Sequence, residues 1–185
     1  NTSNATSMEL MFGNCAYLTG IDVSGFRTSN VTSLVGMFAG CTRLTSLNLS
    51  YFDTSNVRDF LYMLNGCTNL NSVNLSNFDF SSCPMANSMF QSCSSLSTIK
   101  LDNVNTSNIT SMGGMFGWLG SLTELDLSSF DTSNVTDTGS MFADCQNLQT
   151  IKVSDKWNMS KVSYSDSMFY NCLDLVGGAG TPYSS

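Results

Sequence analysis

The side chains able to do chemistry are seven cysteines and a scatter of carboxylates, in a chain that has no histidine. Cys15, Cys41, Cys67, Cys93, Cys145 and Cys172 fall at one position of a recurring segment, and Leu119 takes that position once. Cys83 stands elsewhere, where neighbouring segments have Val57 or Val135. Seven cysteines in an exported protein would allow disulfides. A slot that accepts Leu is apolar, however, and there a free Cys behaves as a small hydrophobe. All seven are therefore expected to be reduced core thiols. Metal binding through them lacks support, because no Cys-x-x-Cys pair occurs and His is missing, so the usual zinc spacings are absent. Catalysis without His would need a carboxylate pair, a Lys or a thiolate in a cleft. The acids lie along repeating surface columns and each Cys sits in an apolar one. The expectation is a non-enzyme without a cofactor.

A second column carries Asp53, Asp79 and Asp131, with Asn105 among them. Stacked carboxylates can hold Ca²⁺. Against this calcium alternative, ligand density is low, and the nearby Ser, Thr and Asn allow the Asp side chains to cap turns instead. The neighbouring Asn30, Asn56, Asn108 and Asn134 are expected to form a side-chain ladder that satisfies turn backbone groups. Several Asn-x-Ser/Thr sequons follow from the same composition and are not taken as glycosylation sites.

What must position these columns is a repeat. Met11, Met37, Met63, Met89, Met115, Met141 and Met168 recur at 26 residues, then 27 for the last step. A fixed period of this size is the signature of a solenoid or array. With the Met column come a Phe column, the Cys column, a Leu column and an Ile/Leu/Val pair, closed by an aromatic such as Phe26, Phe52, Phe78 or Phe130. The units run 1–26, 27–52, 53–78, 79–104, 105–130, 131–157 and 158–185, within a single repeat domain over 1–185. Leu47-Asn48-Leu49 alternates with the two-residue period of a strand. Val31, Leu34, Phe38 and Cys41 have helical spacing, which predicts a short helix over about 31–39. Thr28, Ser29 and Asn30 would cap its start, Asn134 and Asp137 resemble a capping box, and Pro84 suits a first helical position. Gly13, Gly40 and Gly66 suit the helix end.

No single unit can bury enough apolar surface to fold, so the coils must stack and cover one another. The predicted architecture is α/β: a right-handed leucine-rich-repeat-like solenoid of about seven coils, each with one short parallel strand and one short helix. The last unit is atypical. An extra residue enters near Asp155–Asn158, Trp157 takes the closing aromatic position, and Gly and Pro end the pattern over Val176–Tyr183.

A net charge of −7 with only 11% charged residues excludes nucleic acid and anionic membrane surfaces as partners, since both need a basic footprint. No apolar run approaches the roughly 18 residues of a membrane span, and no signal peptide is expected within these residues. Asn1-Thr2-Ser3-Asn4 is the counterpart of Arg27-Thr28-Ser29-Asn30, so the chain opens inside a motif. It is expected to be a segment of a larger protein whose other domains are its neighbours.

The segment Cys-x-x-Leu-x-x-Leu-x-Leu, Cys41 to Leu49, is close to the core of a leucine-rich repeat. The fuller unit from Phe130 to Cys145, Phe-Asp-Thr-Ser-Asn-Val-Thr and then Met-Phe-x-x-Cys, resembles the repeat of BspA-like bacterial surface proteins, as does the Gly-Gly-Ala-Gly-Thr run after the last unit. Departures are Leu119, Ala86, Thr138 and Phe80-Ser81-Ser82-Cys83. The resemblance implies a secreted or wall-anchored bacterial protein that acts in adhesion at the cell surface, and it carries no catalytic motif.

On each strand the residues flanking the inward Leu or Ile face solvent. One exposed column runs Asp22, Asn48, Asn74, Lys100, Asp126 and Lys152, and the column before it runs Gly20, Ser46, Ser72, Thr98, Glu124 and Thr150. The buried columns hardly change, whereas this pair carries acids, bases and amides in turn. A ligand-binding face is expected here, centred on Lys100, Glu124, Asp126 and Lys152, with a host extracellular protein or glycan as its partner. The alternative is a structural spacer that holds another domain away from the cell.

Overall fold

The computed structural model describes residues 1–176; the Gly/Pro-rich ending expected at 177–183 lies outside the described residues. Five three-residue strands recur along the chain: β1 (Ser46–Asn48), β2 (Ser72–Asn74), β3 (Thr98–Lys100), β4 (Glu124–Asp126) and β5 (Thr150–Lys152). All pairings are parallel and join like positions of successive units, Ser46 with Ser72, Ser72 with Thr98, and Glu124 with Thr150. Each step is thus 26 residues. A second wall of isolated parallel bridges follows the same rule, Ser7 to Ser33 to Asp59 and Met85 to Ser111 to Asp137, and its last step, Asp137 to Tyr164, spans 27 residues. The fold is a parallel solenoid. Among the described residues five of the units form a strand, fewer than the seven expected.

The expected helix at 31–39 is not there; among the described residues no helix occurs. In its place lies a ribbon of tight turns. Gly36, Phe38 and Gly40 donate their N–H groups to Leu61, Met63 and Asn65 of the next coil at 3.0, 2.9 and 2.8 Å. Met37, Ala39 and Cys41 donate instead to Leu34, Gly36 and Phe38 of their own coil at 3.1, 3.0 and 3.1 Å. Half of the donors a helix would use are thus committed sideways. The pairs Leu10/Asn14, Gly36/Gly40, Tyr62/Gly66, Ser88/Ser92, Gly114/Trp118, Ser140/Asp144 and Ser167/Asn171 have positive φ, so every fourth residue turns left-handed and breaks the helix. Geometry supplies the reason. Coils ladder-bonded on both walls step by about 4.8 Å, and an α-helix about 10 Å across does not fit that step. The three-four-three spacing belongs to consecutive turns. At Gly40 (φ 71°) an added Cβ would lie 2.5 Å from Asn14 Oδ1, so a side chain there would strain the backbone and displace Asn14.

One hydrophobic core runs from Met8 to Cys172. Phenylalanines stack along it, Phe12 on Phe38 at 5.3 Å, and Phe90, Phe116, Phe142 and Phe169 at 5.4, 5.7 and 5.4 Å between centroids. Leu64 interrupts the stack, and coil 3 compensates: Phe60, at the Leu/Met position, packs on Phe80 at 4.6 Å. Polar ladders hold the turns. Thr28, Thr54, Thr106 and Thr132 are buried, and each hydroxyl donates to a next-coil carbonyl 3.0–3.1 Å away. The same hydroxyls accept the N–H of Asp53, Asp79, Asp131 and Asn158. The Asn column behaves as expected: Asn30, Asn56, Asn108 and Asn134 donate from Nδ2 to the carbonyls of Ser3, Ser29, Ser81 and Ser107 at 2.7–2.9 Å.

Cysteine is more than a small hydrophobe here. The thiols of Cys41, Cys67, Cys93, Cys145 and Cys172 each donate to a main-chain carbonyl of the preceding coil, Phe12, Phe38, Leu64, Phe116 and Phe142, at 2.9–3.1 Å. Burial pushes the thiols of Cys41, Cys83 and Cys172 up to about 11 and that of Cys145 up to about 12. All seven thiols are free, and six are buried. Cys15 corrects the expectation of a uniform core column: it is exposed. Native alkylation should therefore modify one Cys quickly and the other six only after denaturation, with no reductant needed. Mass spectrometry showing two or more protected thiols after unfolding would contradict free thiols.

Candidate binding face

The strand wall is not continuous. β1, β2 and β3 form one sheet and β4 and β5 another, with no ladder between β3 and β4. In the intact ladders Leu49, Leu75 and Leu127 donate to Asn74, Lys100 and Lys152 of the next coil at 2.8–2.9 Å. Leu101, the residue in register, has no such bond to Asp126. The local sequence explains the break. In other coils the closing Phe turns back onto the strand, with Phe52, Phe78 and Phe130 donating to Leu49, Leu75 and Leu127. Coil 4 closes instead on the smaller Val104, which makes no such bond, and the Leu101 carbonyl is taken by Ser129 Oγ at 2.8 Å.

A cleft of about 550 Å³ opens at this break, lined by Ile99, Lys100, Leu101, Asp102, Asn103, Asp126, Ser128 and Ser129. Ile99 is only partly buried, as is Ile151 in β5, whereas Leu47, Val73 and Leu125 are at most 4% exposed. A shallower groove of about 250 Å³ runs over β1 to β3 along Ser46, Asn48, Ser72, Asn74, Thr98 and Lys100. Lys100 lines both.

Of the residues expected on this face, the structure brings Lys100 and Asp126 to the cleft, and Asn48 and Asn74 to the groove. Glu124 and Lys152 pair with each other, Nζ to Oε1 at 2.5 Å and about half exposed, and that bond raises the Lys152 pKa. Asp22 lies outside every strand. Four members of the column also have a local duty that corrects their reading as pure contact residues. Asp22, Asn48, Asn74 and Asp126 each accept, on Oδ1, the N–H of the Ser two residues on at 2.9–3.1 Å, capping the turn that leaves the strand. The bond from the Ser24 N–H holds the Asp22 carboxyl below its ordinary value, and the Ser128 side chain and N–H do the same for Asp126. Lys100 and Lys152 replace the cap, and the Lys100 ammonium has no partner among the described residues.

The calcium alternative at Asp53, Asp79 and Asp131 meets a similar local use. Their Oδ1 atoms accept the N–H of Ser55, Ser81 and Ser133 at 2.8–3.2 Å, and Asn105 Nδ2 donates to Asp79 at 3.0 Å. Among the described residues no group of three or more His, Cys, Asp or Glu side chains converges as a metal site. Sequence reasoning missed Asp102, Asn103, Ser128 and Ser129 as cleft residues. The one available signal was Val104, the break in the closing aromatic column.

A family model described as "Mycoplasma protein of unknown function, DUF285" matches residues 6–121 and again 92–179. No curated protein matches the chain. Among solved structures, a leucine-rich repeat protein from Bacteroides ovatus ATCC 8483 aligns at 15% identity over 94% of this chain and 64% of its own, with a TM-score of 0.25. The chain therefore spans under two thirds of that protein, and the solenoid assignment rests on strand register rather than on this likeness.

Proposed function

The chain belongs to the DUF285 family, and we propose that it is a binding module of a larger bacterial surface protein, like the BspA-like proteins its repeats resemble. It would act without catalysis, presenting the strand wall to a host extracellular protein or glycan. The observation that supports this most is the break between β3 and β4. An array that repeats its ladders coil after coil opens them at the place where charges gather on the exposed face: Lys100, Asp102, Glu124, Asp126 and Lys152. A gap with unladdered peptide groups and mixed charges offers a ligand both hydrogen bonds and an orientation.

The spacer reading draws on a different observation, since Asp22, Asn48, Asn74 and Asp126 already have structural work as turn caps. The two separate experimentally. The purified segment is screened on an array of extracellular-matrix proteins and host glycans, and each hit is repeated with Lys100, Glu124, Asp126 and Lys152 all changed to Ser. Binding should be lost while Tm moves by only about 2–4 °C, because Ser can replace Asp126 as a turn cap. An array without a hit would favour the spacer, and full affinity in the variant would remove the strand wall from consideration.

A further inference from the structure

Trp118 stands where a large side chain has no evident structural task. It occupies a left-handed position, φ 60°, that other coils fill with Asn14, Gly40, Gly66, Ser92, Asp144 and Asn171. Those residues are short or lack a Cβ, as that conformation favours. The Trp118 N–H serves the coil ladder, donating to Ala143 at 2.7 Å. Its indole does not serve the fold in the same way. The residue is 40% exposed, and among the described residues it stacks on no other ring and its Nε1–H finds no acceptor.

Beside the indole lies a groove of about 370 Å³. Thr68, Ser92 and Ser94 form one side, and Asp144 and Gln146 the other. Gly120 leaves the floor open: a Cβ there would meet only the Ser94 carbonyl, at 3.8 Å. Asn171 Nδ2 holds Asp144 Oδ1 at 2.6 Å and so fixes the carboxylate while its second oxygen stays free. The Ser92 hydroxyl and the Gln146 amide have no partner among the described residues. The groove crosses four coils, roughly 14 Å at about 4.8 Å per step.

An exposed aromatic plate bordered by hydroxyl, amide and carboxylate groups matches the chemistry of a pyranose ring. Such a ring has an apolar C–H face to lay on an indole and a rim of hydroxyls that needs paired donors and acceptors. We infer that this groove is a glycan subsite that takes a β-linked hexopyranose chain, with one sugar stacked on Trp118 and its hydroxyls held by Asp144 and Gln146. A straight row of like positions suits an extended chain. The groove shares no residue with the Lys100 cleft, so the inference goes beyond the strand-wall reading and stands or falls separately from it.

Chitotetraose, cellotetraose and β-1,4-galactotetraose are titrated against the whole segment by ligand-observed NMR. A Trp157→Phe background then lets fluorescence report on Trp118 alone. At least one sugar should bind with a Kd of roughly 1 mM or tighter, perturb the Trp118 emission, and weaken at least tenfold in Trp118→Asn and in Gln146→Ala. Trp118→Asn should melt at or above the parent temperature, because Asn suits the left-handed backbone. The strand-wall variant with four Ser should bind the sugar as the parent does. The inference is overturned if none of the three binds at roughly 10 mM. It is equally overturned if Trp118→Asn keeps its affinity, or if that variant melts more than about 5 °C lower and so marks the indole as structural.

Discussion

Phe116→Ala should split the thermal unfolding of this domain into two transitions. Phe116 is fully buried and its ring lies 5.4 Å from Phe90 and 5.7 Å from Phe142. Removing a buried Phe costs about 3–5 kcal/mol through lost transfer energy and the cavity left behind. Position decides the rest. In a solenoid each coil is held mainly by its neighbours, and cooperativity depends on the interface between them. Between coils 4 and 5 the strand ladder is missing. That junction relies on the turn-wall bonds from Phe80, Ala86, Ser88, Phe90 and Ser92 to Asn105, Ser111, Gly113, Met115 and Gly117, on the bonds from Thr110 and Ser111 to Pro84, and on the Phe stack. Weakening the stack there should uncouple β1–β3 from β4–β5. Phe38→Ala is the control, since β1 and β2 remain laddered beside it. It should lower Tm comparably and leave one transition. Calorimetry with native-state hydrogen exchange reads both, and a single sharp transition in Phe116→Ala would mean that the break is not a mechanical boundary.

The repeat carried most of the architecture in plain sight. The 26-residue Met column and the alternation at Leu47-Asn48-Leu49 fixed where strands form and which residues stack, because a parallel array must place like positions over like. The helix was misread because spacing at Val31, Leu34, Phe38 and Cys41 reports which side chains point inward and not how the backbone is bonded. Consecutive turns with left-handed residues at Gly36 and Gly40 send the same four side chains to the core. What excludes the helix is the coil-to-coil step, a property of the stack that no single unit displays.

The site was legible in part for a related reason. Lys100 and Asp126 could be placed on the exposed face by alternation alone, and both line the cleft. The capping duty of Asn48, Asn74 and Asp126 was hidden, because an Asx turn involves a residue two further along that looks like ordinary polar filler. The cleft itself comes from bonds that are missing, at Leu101 and Val104. Missing bonds leave a faint trace in sequence, here one Val in a column of aromatics. The Cys column shows the opposite case. Leu119 marked the slot as apolar, and the thiol-to-carbonyl bonds add why Cys recurs there: it fills a small space and satisfies a buried carbonyl of the neighbouring coil.

Those thiols should make the domain sensitive to alkali. The thiols of Cys41, Cys83 and Cys172 are raised to about 11 and that of Cys145 to about 12, from an ordinary 9.0. Cys67 is also raised, by the thiol of Cys93 and then by burial. The direction of the effect follows from which state holds the proton. Above pH 9 the unfolded chain loses these protons while the folded chain keeps them, so the unfolded state gains. The stability is present in full below pH 9 and is withdrawn as pH rises toward 11 and 12. Each thiol contributes about 1.4 kcal/mol per pH unit across that window, and five together withdraw on the order of 5 kcal/mol by pH 10. That rivals the whole stability of a typical domain, about 5–15 kcal/mol. Urea midpoints measured under reductant should therefore hold steady from pH 7 to 8.5 and collapse between 9.5 and 10.5. Cys145→Leu, which copies the natural Leu119 slot, should reduce the slope by about 1.4 kcal/mol per pH unit. A midpoint flat to pH 10.5, or a slope in Cys145→Leu equal to the parent's, would show that proton release from the buried thiols does not govern stability in alkali.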